Sequence, residues 1–331
     1  MSTIFPATYS TLCPVALAKY ITDKYGFANT DCRLLVRGVG DTYLVNTLSD
    51  KYILRVYRSS HRNLPQIQAE VDLLLTLNKA GVPVSHPLTD KSGDAIQAVE
   101  AIEGIRHAVL FTYAHGTVVR QMSTTQLQVL GREMARMHQV SAGVNPAGTR
   151  CGFDFDTTLY QPLEMVKPNF ADLAEDYQWL QETAGRAVNV LTNLSAGGFT
   201  SGYCHFDFLP KNFHFDSDAI TFFDFDFMGY GWLVNDIATF HQHLCLDIYT
   251  GRATQEAASE AYDIFLEGYQ QVRPLSEQEK AAVPYLGLGF WLFYMGFHTT
   301  HDQFFAFTQA SHLKGIINYL RSFVATTWNI S

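Results

Sequence analysis

The stretch CHFDFLPKNFHFDSDAITFFDFDF, residues 204–227, sets oxygen-bearing side chains at fixed spacings in a segment otherwise rich in phenylalanine. Asp207 and Asn212 lie either side of Pro210, which has no backbone N–H to give to a ladder and keeps this part out of a regular strand. Asp224 follows the apolar run AITFF, and the DSD at 216–218 reads as the turn of a β-hairpin over 212–227. Such a hairpin brings Asn212 and Asp224 to the same end of its ladder. An amide oxygen and a carboxylate there make a hard, oxygen-donor pair suited to Mg²⁺, with substrate phosphates completing the shell. Asp207, close by, is left to accept a proton from an attacking hydroxyl. A base, two metal ligands and a positioned phosphate are the parts of phosphoryl transfer.

These side chains need elements to hold them. The first ~115 residues read as mixed α and β. PVALAKYITDKYG is a helix with Pro14 near its start and Gly26 after its end. RLLVRGVGDTYLVNT is strand, glycine turn, strand, with Leu34 and Val36, then Tyr43 and Val45, on the apolar alternation. DKYILRVYR is a third strand after the turn at Ser49 and Asp50. LPQIQAEVDLLLTLNKAG is a helix with Ile67, Val71, Leu74 and Leu75 on one face and Gly81 as its stop. IQAVEAIEG and IRHAVLFTYAHG form a hairpin. After Gly116 the character changes: STTQLQVLGREMARMHQV is a helix capped by Ser123 or Thr124, with Leu127, Leu130, Met134 and Met137 in register. A helix-rich region follows, interrupted by 201–227, and helices around 253–272, 276–298 and 311–326 end the chain. The expectation is an α+β, bilobal architecture: 1–115 as a small lobe of mixed sheet and helix, 116–331 as a larger, mostly helical lobe, joined at FTYAHG.

Composition bounds the function. The chain has 331 residues, 47% of them hydrophobic and 17% charged, enough apolar material for a large core. A net charge of −9 without a basic cluster argues against nucleic-acid binding, and suits a cationic substrate. Five scattered cysteines with no CxxC point to a reducing compartment. MSTIFPATYSTLCPV shows no signal-peptide pattern, so a cytoplasmic location is expected. The greasiest stretch, Tyr285 to Phe297, is too short for a membrane span and reads as a buried helix.

His-x-Asp-x-x-x-x-Asn followed by a strand ending in Asp resembles the catalytic loop and metal-binding strand of the protein-kinase-like phosphotransferases. The aminoglycoside phosphotransferase, choline kinase and type II homoserine kinase branch is the most similar. That branch carries HGDLHPGN and then IDFDDAGYGPRLYDLA; this chain carries HFDFLPKN and then FFDFDFMGYGWLVNDIATF. LGREMARMHQV, AEVDLLLTLNKAGVPVSHPL and FLEGYQQVRPLSEQE resemble further family segments in the right order, so the likeness covers most of 30–300. It implies ATP (or GTP) and Mg²⁺ as cofactors, and roles residue by residue. Asp207 matches the catalytic base, and Asn212 and Asp224 match the metal ligands. Glu70 matches the glutamate that holds the nucleotide-contacting lysine. His205 and Asp236 match positions that brace the loop through its backbone. Gly38 and Gly40 sit where the nucleotide-covering loop belongs, and Thr112, Tyr113 and Ala114 would present backbone groups to adenine. The chain departs at two points. Arg55 stands where the family usually has Lys; it keeps the charge and can pair Glu70 and phosphate. Lys211 replaces the second glycine of HGDLHPGN and either touches the γ-phosphate or the acceptor or faces solvent.

The implied activity is phosphotransfer to the hydroxyl of a small amino-alcohol, amino acid such as homoserine, sugar or aminoglycoside, with no membrane partner. Trp291, Tyr294 and His298 are candidates for the acceptor wall, against a reading of plain core packing. Two other classes stay open: a protein Ser/Thr kinase resembling the bacterial stress-response kinases, and a nucleotide-binding pseudokinase, motivated by Arg55 and Lys211. ITFFDFDFMG mimics the start of a haloacid-dehalogenase phosphatase, but Met228 stands where that class has Thr or Val. There is no P-loop pattern, and GVGDTY has too few glycines for a dinucleotide fingerprint. His241 with His243 fall on different faces of a helix; His298 with His301 can converge, although structural histidines are the expectation. Asp226 has no assigned role.

Overall fold

A computed structural model describes residues 5–328; the reading of the extreme N-terminus at 1–4 lies outside the described residues. The chain divides into two compact units. The first runs to His115 and also takes in 145–149 and 221–223; the second comprises 116–144, 150–220 and 224 onward. The two later segments that join the first unit were not anticipated from the sequence.

The first unit contains α1 (Pro14–Tyr25), β1 (Asp31–Arg37), β2 (Gly40–Asn46), β3 (Lys51–Tyr57), α2 (Leu64–Lys79), β4 (Ile96–Ala101) and β5 (Gly104–Thr112). The strands form one sheet in the order β1-β2-β3-β5-β4, each neighbour antiparallel. Alternate residues Tyr43, Val45, Leu54, Val56, Ala108 and Leu110 point to one face, where Leu17 and Ile21 of α1 cover them. The opposite parity carries Arg55. A β-bulge between Leu34 and Val36 breaks the alternation of β1, so Val36 is exposed although its spacing from Leu34 predicts one shared face. The start of α2 is fixed by a capping box in which Asn63 and Gln66 exchange side-chain-to-backbone bonds, with Pro65 in the first turn. Its buried stripe is Ile67, Glu70, Val71, Leu73, Leu74 and Leu77, with Leu75 on the margin.

The remaining elements are α3 (Thr124–Ser141), β6 (Gly152–Phe153), a π-turn at 156–160, α4 (Gln161–Val166), α5 (Ala174–Asn193), β7 (Ser201–Cys204), β8 (Phe213–Asp216), β9 (Ala219–Phe222), β10 (Gly229–Trp232), α6 (Val234–Tyr249), α7 (Gln255–Gln270), α8 (Glu277–His298) and α9 (Ala310–Thr327), all of the second unit except the last two residues of β9. Ser123 caps α3 in a second capping box with Gln126. Two small sheets carry the segment 204–227: β6-β10-β7 and the β8-β9 hairpin. The main core lies among α4, α5, α8 and α9. The greasy stretch 285–297 is the C-terminal part of α8, and no helix of the described residues is long and apolar enough to cross a membrane. Helices α3 and α7 approach through glycine. A Cβ at Gly131 would run into the carbonyl of Phe265, and one at Gly268 into that of Gln128. Gly116, where the helical unit begins, has φ +91° and lies against the Phe215 backbone, so both conformation and space require glycine there.

Candidate active site

The loop between β7 and β8 leaves its sheet at Cys204 and returns as a 3₁₀ turn at Pro210–Asn212. Phe206, inside it, is held at φ 64°, a left-handed conformation that a bulky residue adopts only when its surroundings enforce it. The enforcement is visible. Asp236, fully buried at the start of α6, accepts the backbone N–H of His205 at 2.9 Å through Oδ2 and that of Phe206 at 2.6 Å through Oδ1. His205 Nδ1 in turn accepts the N–H of Asp207 at 3.2 Å. Beneath the loop the Phe206 ring stacks on Phe153 at 3.8 Å, and the His205 ring packs on Phe208 and Phe225. The phenylalanines of this segment are its floor.

Asp207 is the centre of what this loop presents. It is 4% exposed. Asn212 donates Nδ2 to its backbone carbonyl at 2.8 Å and to Oδ2 at 2.7 Å. The Lys211 ammonium also pairs with Oδ2, at 3.0 Å. The other oxygen, Oδ1, is buried and accepts no hydrogen bond from the described residues. Since the donors of Asn212 are spent on Asp207, its amide oxygen is the atom left for a ligand. Asp224, just past β9, is exposed and stands at φ 61°. Such non-glycine strain is characteristic of functional positions. Asp226 is buried in the short turn that follows, and its carbonyl accepts Arg150 Nη1 at 2.8 Å. Tyr294 of α8 ties these acids together: its phenol is pushed far up by burial, then by the carboxylates of Asp207, Asp224 and Asp226. The same hydroxyl accepts Lys211 Nζ at 3.2 Å. Lys211 therefore does not simply face solvent, although its side chain is 55% exposed.

The donor set fits a divalent cation of the Mg²⁺ kind. Among the described residues no three His, Cys, Asp or Glu side chains gather to hold a metal unaided. An amide oxygen and one strained, exposed carboxylate suit a hard ion that takes its remaining ligands from phosphate and water. The histidine pairs are not such a site. His241 contacts Cys245 and His243 contacts Asp247, while the His298 ring stacks on Phe307.

Of the three candidates for an acceptor wall, Tyr294 and His298 come together, at 5.7 Å between rings, with Phe227 and Phe297 against Tyr294 or its neighbour. Trp291 goes elsewhere: its Nε1 donates to Gln242 and its ring meets Tyr319. His298 is driven down to about 4, by burial first and then by His312 and Lys211, so it is neutral at ordinary pH.

In the first unit, Arg55 Nη1 lies 3.8 Å from Glu70 Oε1, with Glu70 1% exposed. At that separation the contact is an ion pair. Gly38 donates its N–H to Gly40 across the β1-β2 turn. Neither glycine has positive φ, so the turn itself does not demand them; a Cβ at Gly40 would press on the Val56 carbonyl. Thr112 is already committed: its N–H goes to His86, its carbonyl accepts Ser85 Oγ, and its hydroxyl accepts the His86 N–H. No hydrogen bond of the Tyr113 backbone is among those of the described residues.

The sequence reasoning missed a buried relay behind the loop. Asp236 Oδ2 also accepts His138 Nε2 at 3.0 Å, and His138 Nδ1 meets the Tyr269 hydroxyl at 2.6 Å. Arg273 donates to that hydroxyl at 3.0 Å and pairs with Glu279 at 2.9 Å. Burial holds His138 below its ordinary pKa, against the pull of Asp236. The neutral ring then donates from Nε2 and accepts at Nδ1, which matches both partners. One signal was available: His138 follows Met134 and Met137 on the apolar stripe of α3, where a buried imidazole requires partners.

A small antiparallel sheet with a helix bearing the Arg55–Glu70 pair, and a helical unit whose strained loop presents Asp207, Asn212 and Asp224, define the protein-kinase-like phosphotransferase fold. A solved amicoumacin kinase, hAmiN in complex with AMP-PNP, Ca²⁺ and Ami, has the same fold, with a TM-score of 0.73 at 19% identity over 95% of this chain and 93% of its own. The family model described as "Phosphotransferase enzyme family" matches residues 31–275. The chain belongs to that family and is an enzyme, a phosphotransferase. It is 31% identical to an uncharacterised protein of Synechocystis sp. over 98% of this chain and 90% of that one. It is 25% identical to a homoserine kinase of Phenylobacterium zucineum over 86% of this chain and 84% of the relative.

Proposed function

We propose that the protein is an ATP-dependent O-phosphotransferase that moves the γ-phosphoryl group to a hydroxyl of a small amino-alcohol, amino acid, sugar or aminoglycoside. One observation carries this reading: Asp207 is a buried carboxylate with Oδ2 fixed by Asn212 and Lys211 and Oδ1 left without a donor. An acceptor hydroxyl is the group that completes it. The acceptor oxygen bonds to the γ-phosphorus while the bond from phosphorus to the ADP oxygen breaks. The hydroxyl proton passes to Asp207 Oδ1. Asn212 and Asp224 hold the divalent cation, which when bound neutralises phosphate charge. Arg55, kept beside Glu70, offers its guanidinium to the α- and β-phosphates, and the Tyr113 backbone is open to adenine. Tyr294 and His298, both neutral, wall the acceptor side with aromatic surface. The homoserine kinase among the relatives supports a small acceptor, and five cysteines without a disulfide among them suit the cytoplasm.

The test is phosphotransfer from Mg·ATP across a panel of amino-alcohols, hydroxy amino acids, sugars and aminoglycosides. Asp207→Asn is expected to lower kcat by about 10²–10⁴-fold with nucleotide binding retained. A wild-type enzyme that binds ATP yet phosphorylates nothing in the panel, a protein substrate included, refutes the reading.

A further inference from the structure

The side chain that needs an explanation is Lys211. Lysines that pair with a carboxylate at the surface are ordinarily mobile and contribute little. Lys211 differs in what it pairs with. Its carboxylate partner is 6% exposed by side chain and already holds Asn212. Its second partner, the Tyr294 hydroxyl, stands on a phenol packed against Phe227 and Phe290, and the ammonium lies 5.6 Å from that ring's centroid. So a half-exposed lysine is seated on a half-buried tyrosine and aimed at the carboxylate of Asp207, whose second oxygen has no donor among the described residues. An ammonium has three N–H groups. Two are engaged here, and the exposure of the side chain leaves the third for a ligand.

Distance decides which ligand. A hydroxyl bound to Asp207 Oδ1 places its oxygen about 2.7 Å from the carboxylate, and the phosphorus it attacks about 3 Å further on. An ammonium 3.0 Å from the other oxygen of the same carboxylate, carried on a flexible four-carbon stem, shares that neighbourhood, and its third N–H can swing onto an equatorial phosphoryl oxygen. We propose that Lys211 is a catalytic residue of this enzyme: it fixes Asp207 through Oδ2 and gives its remaining N–H to the phosphoryl group in transfer, from its seat on Tyr294. This rests on the phosphotransferase reading above. Lys211 stays protonated throughout and exchanges no atom; the acceptor proton goes to Asp207, and the broken bond leaves ADP.

The experiment uses the full chain as Lys211→Met, Lys211→Arg and Tyr294→Phe. It measures kcat and both KM values with an acceptor the wild type uses, Mg·ATP hydrolysis with water as acceptor, and binding of ADP with and without aluminium fluoride. Lys211→Met is expected to lose about 100-fold in kcat and in hydrolysis, as for the loss of one transition-state donor. Both KM values stay within about threefold. ADP affinity is unchanged, whereas the gain in affinity on adding aluminium fluoride shrinks by a similar factor. Lys211→Arg recovers to within about tenfold of wild type, and Tyr294→Phe loses a smaller part of kcat. A Lys211→Met enzyme within threefold of wild type overturns the proposal, as does a loss confined to acceptor KM, which would make Lys211 an acceptor-recognition group. A wild type with neither transfer nor hydrolysis removes the phosphotransferase reading itself, and Lys211 with it; an active wild type beside an indifferent Lys211→Met removes the lysine alone.

Discussion

Replacing His138 with Leu tests whether the relay behind the loop holds the catalytic geometry. The imidazole is 0% exposed and bridges Asp236 and Tyr269. Leucine fills nearly the same space, so the change removes two hydrogen bonds without opening a large cavity. The bond to Asp236 is to a buried charge, worth about 1.5–3 kcal/mol. Asp236 keeps the N–H groups of His205 and Phe206, and Tyr269 keeps Arg273, so neither partner is stripped bare. The net loss is then about 2–4 kcal/mol. At roughly 2 °C per kcal/mol for a chain of this size, Tm falls by about 4–8 °C. The loop loses one of its restraints, and a shift of Asp207 by a fraction of an ångström lowers kcat by about tenfold. Calorimetry or circular dichroism gives Tm, and phosphotransfer well below Tm gives kcat. Tyr269→Phe closes a double-mutant cycle in which the two changes are less than additive. Two results refute the reasoning: a Tm within 1 °C of wild type, or a lower Tm with kcat intact.

Further outcomes can be checked with the same assays. Arg55→Met should raise the nucleotide KM at least tenfold while Arg55→Lys restores it, because charge opposite Glu70 is what the phosphates require; unchanged ATP binding would remove Arg55 from the site. Gly131→Ala should destabilise the enzyme by about 1–3 kcal/mol, as its methyl group meets the Phe265 carbonyl between α3 and α7; thermal unfolding decides. His241 is driven by burial from 6.5 to about 4. The unfolded chain thus takes up a proton as pH falls through 6.5 and the folded chain does so only near 4. Stability is complete above pH 7 and declines by at most about 3 kcal/mol on the way down to pH 4. His241→Asn should flatten that part of the Tm–pH profile, and an unaltered profile would deny His241 its share.

The hairpin carrying Asn212 and Asp224 was legible because turn chemistry and alternation are local, and so was the cap at Ser123. What escaped was set by distant partners. The bulge in β1 turns Val36 outward by a shift in its pairing with β2, which no single strand encodes. The backbone of Thr112 is spent on Ser85 and His86, a contact invisible in FTYAHG itself. Trp291 shares a helix with Tyr294 yet answers to Gln242 on α6. The relay from Asp236 to Glu279 joins four helices, and only its first acid stood out in the sequence. Spacing locates groups that act together locally, whereas a buried polar residue declares a partner without saying where it is.

The relay also bears on when the enzyme becomes competent. Asp207 and Asn212 leave the ribosome well before Arg273 and Glu279, the last members of the chain of bonds that steadies their loop. At about 5–20 residues per second the interval is on the order of several seconds. During it the nascent polypeptide already carries Asp207, Asn212 and the Asp236 that holds Phe206 left-handed, but lacks the Arg273 and Glu279 that back Tyr269 and, through it, His138. Catalytic power is therefore acquired late in synthesis, and a product broken off before α8 keeps the motif without its support.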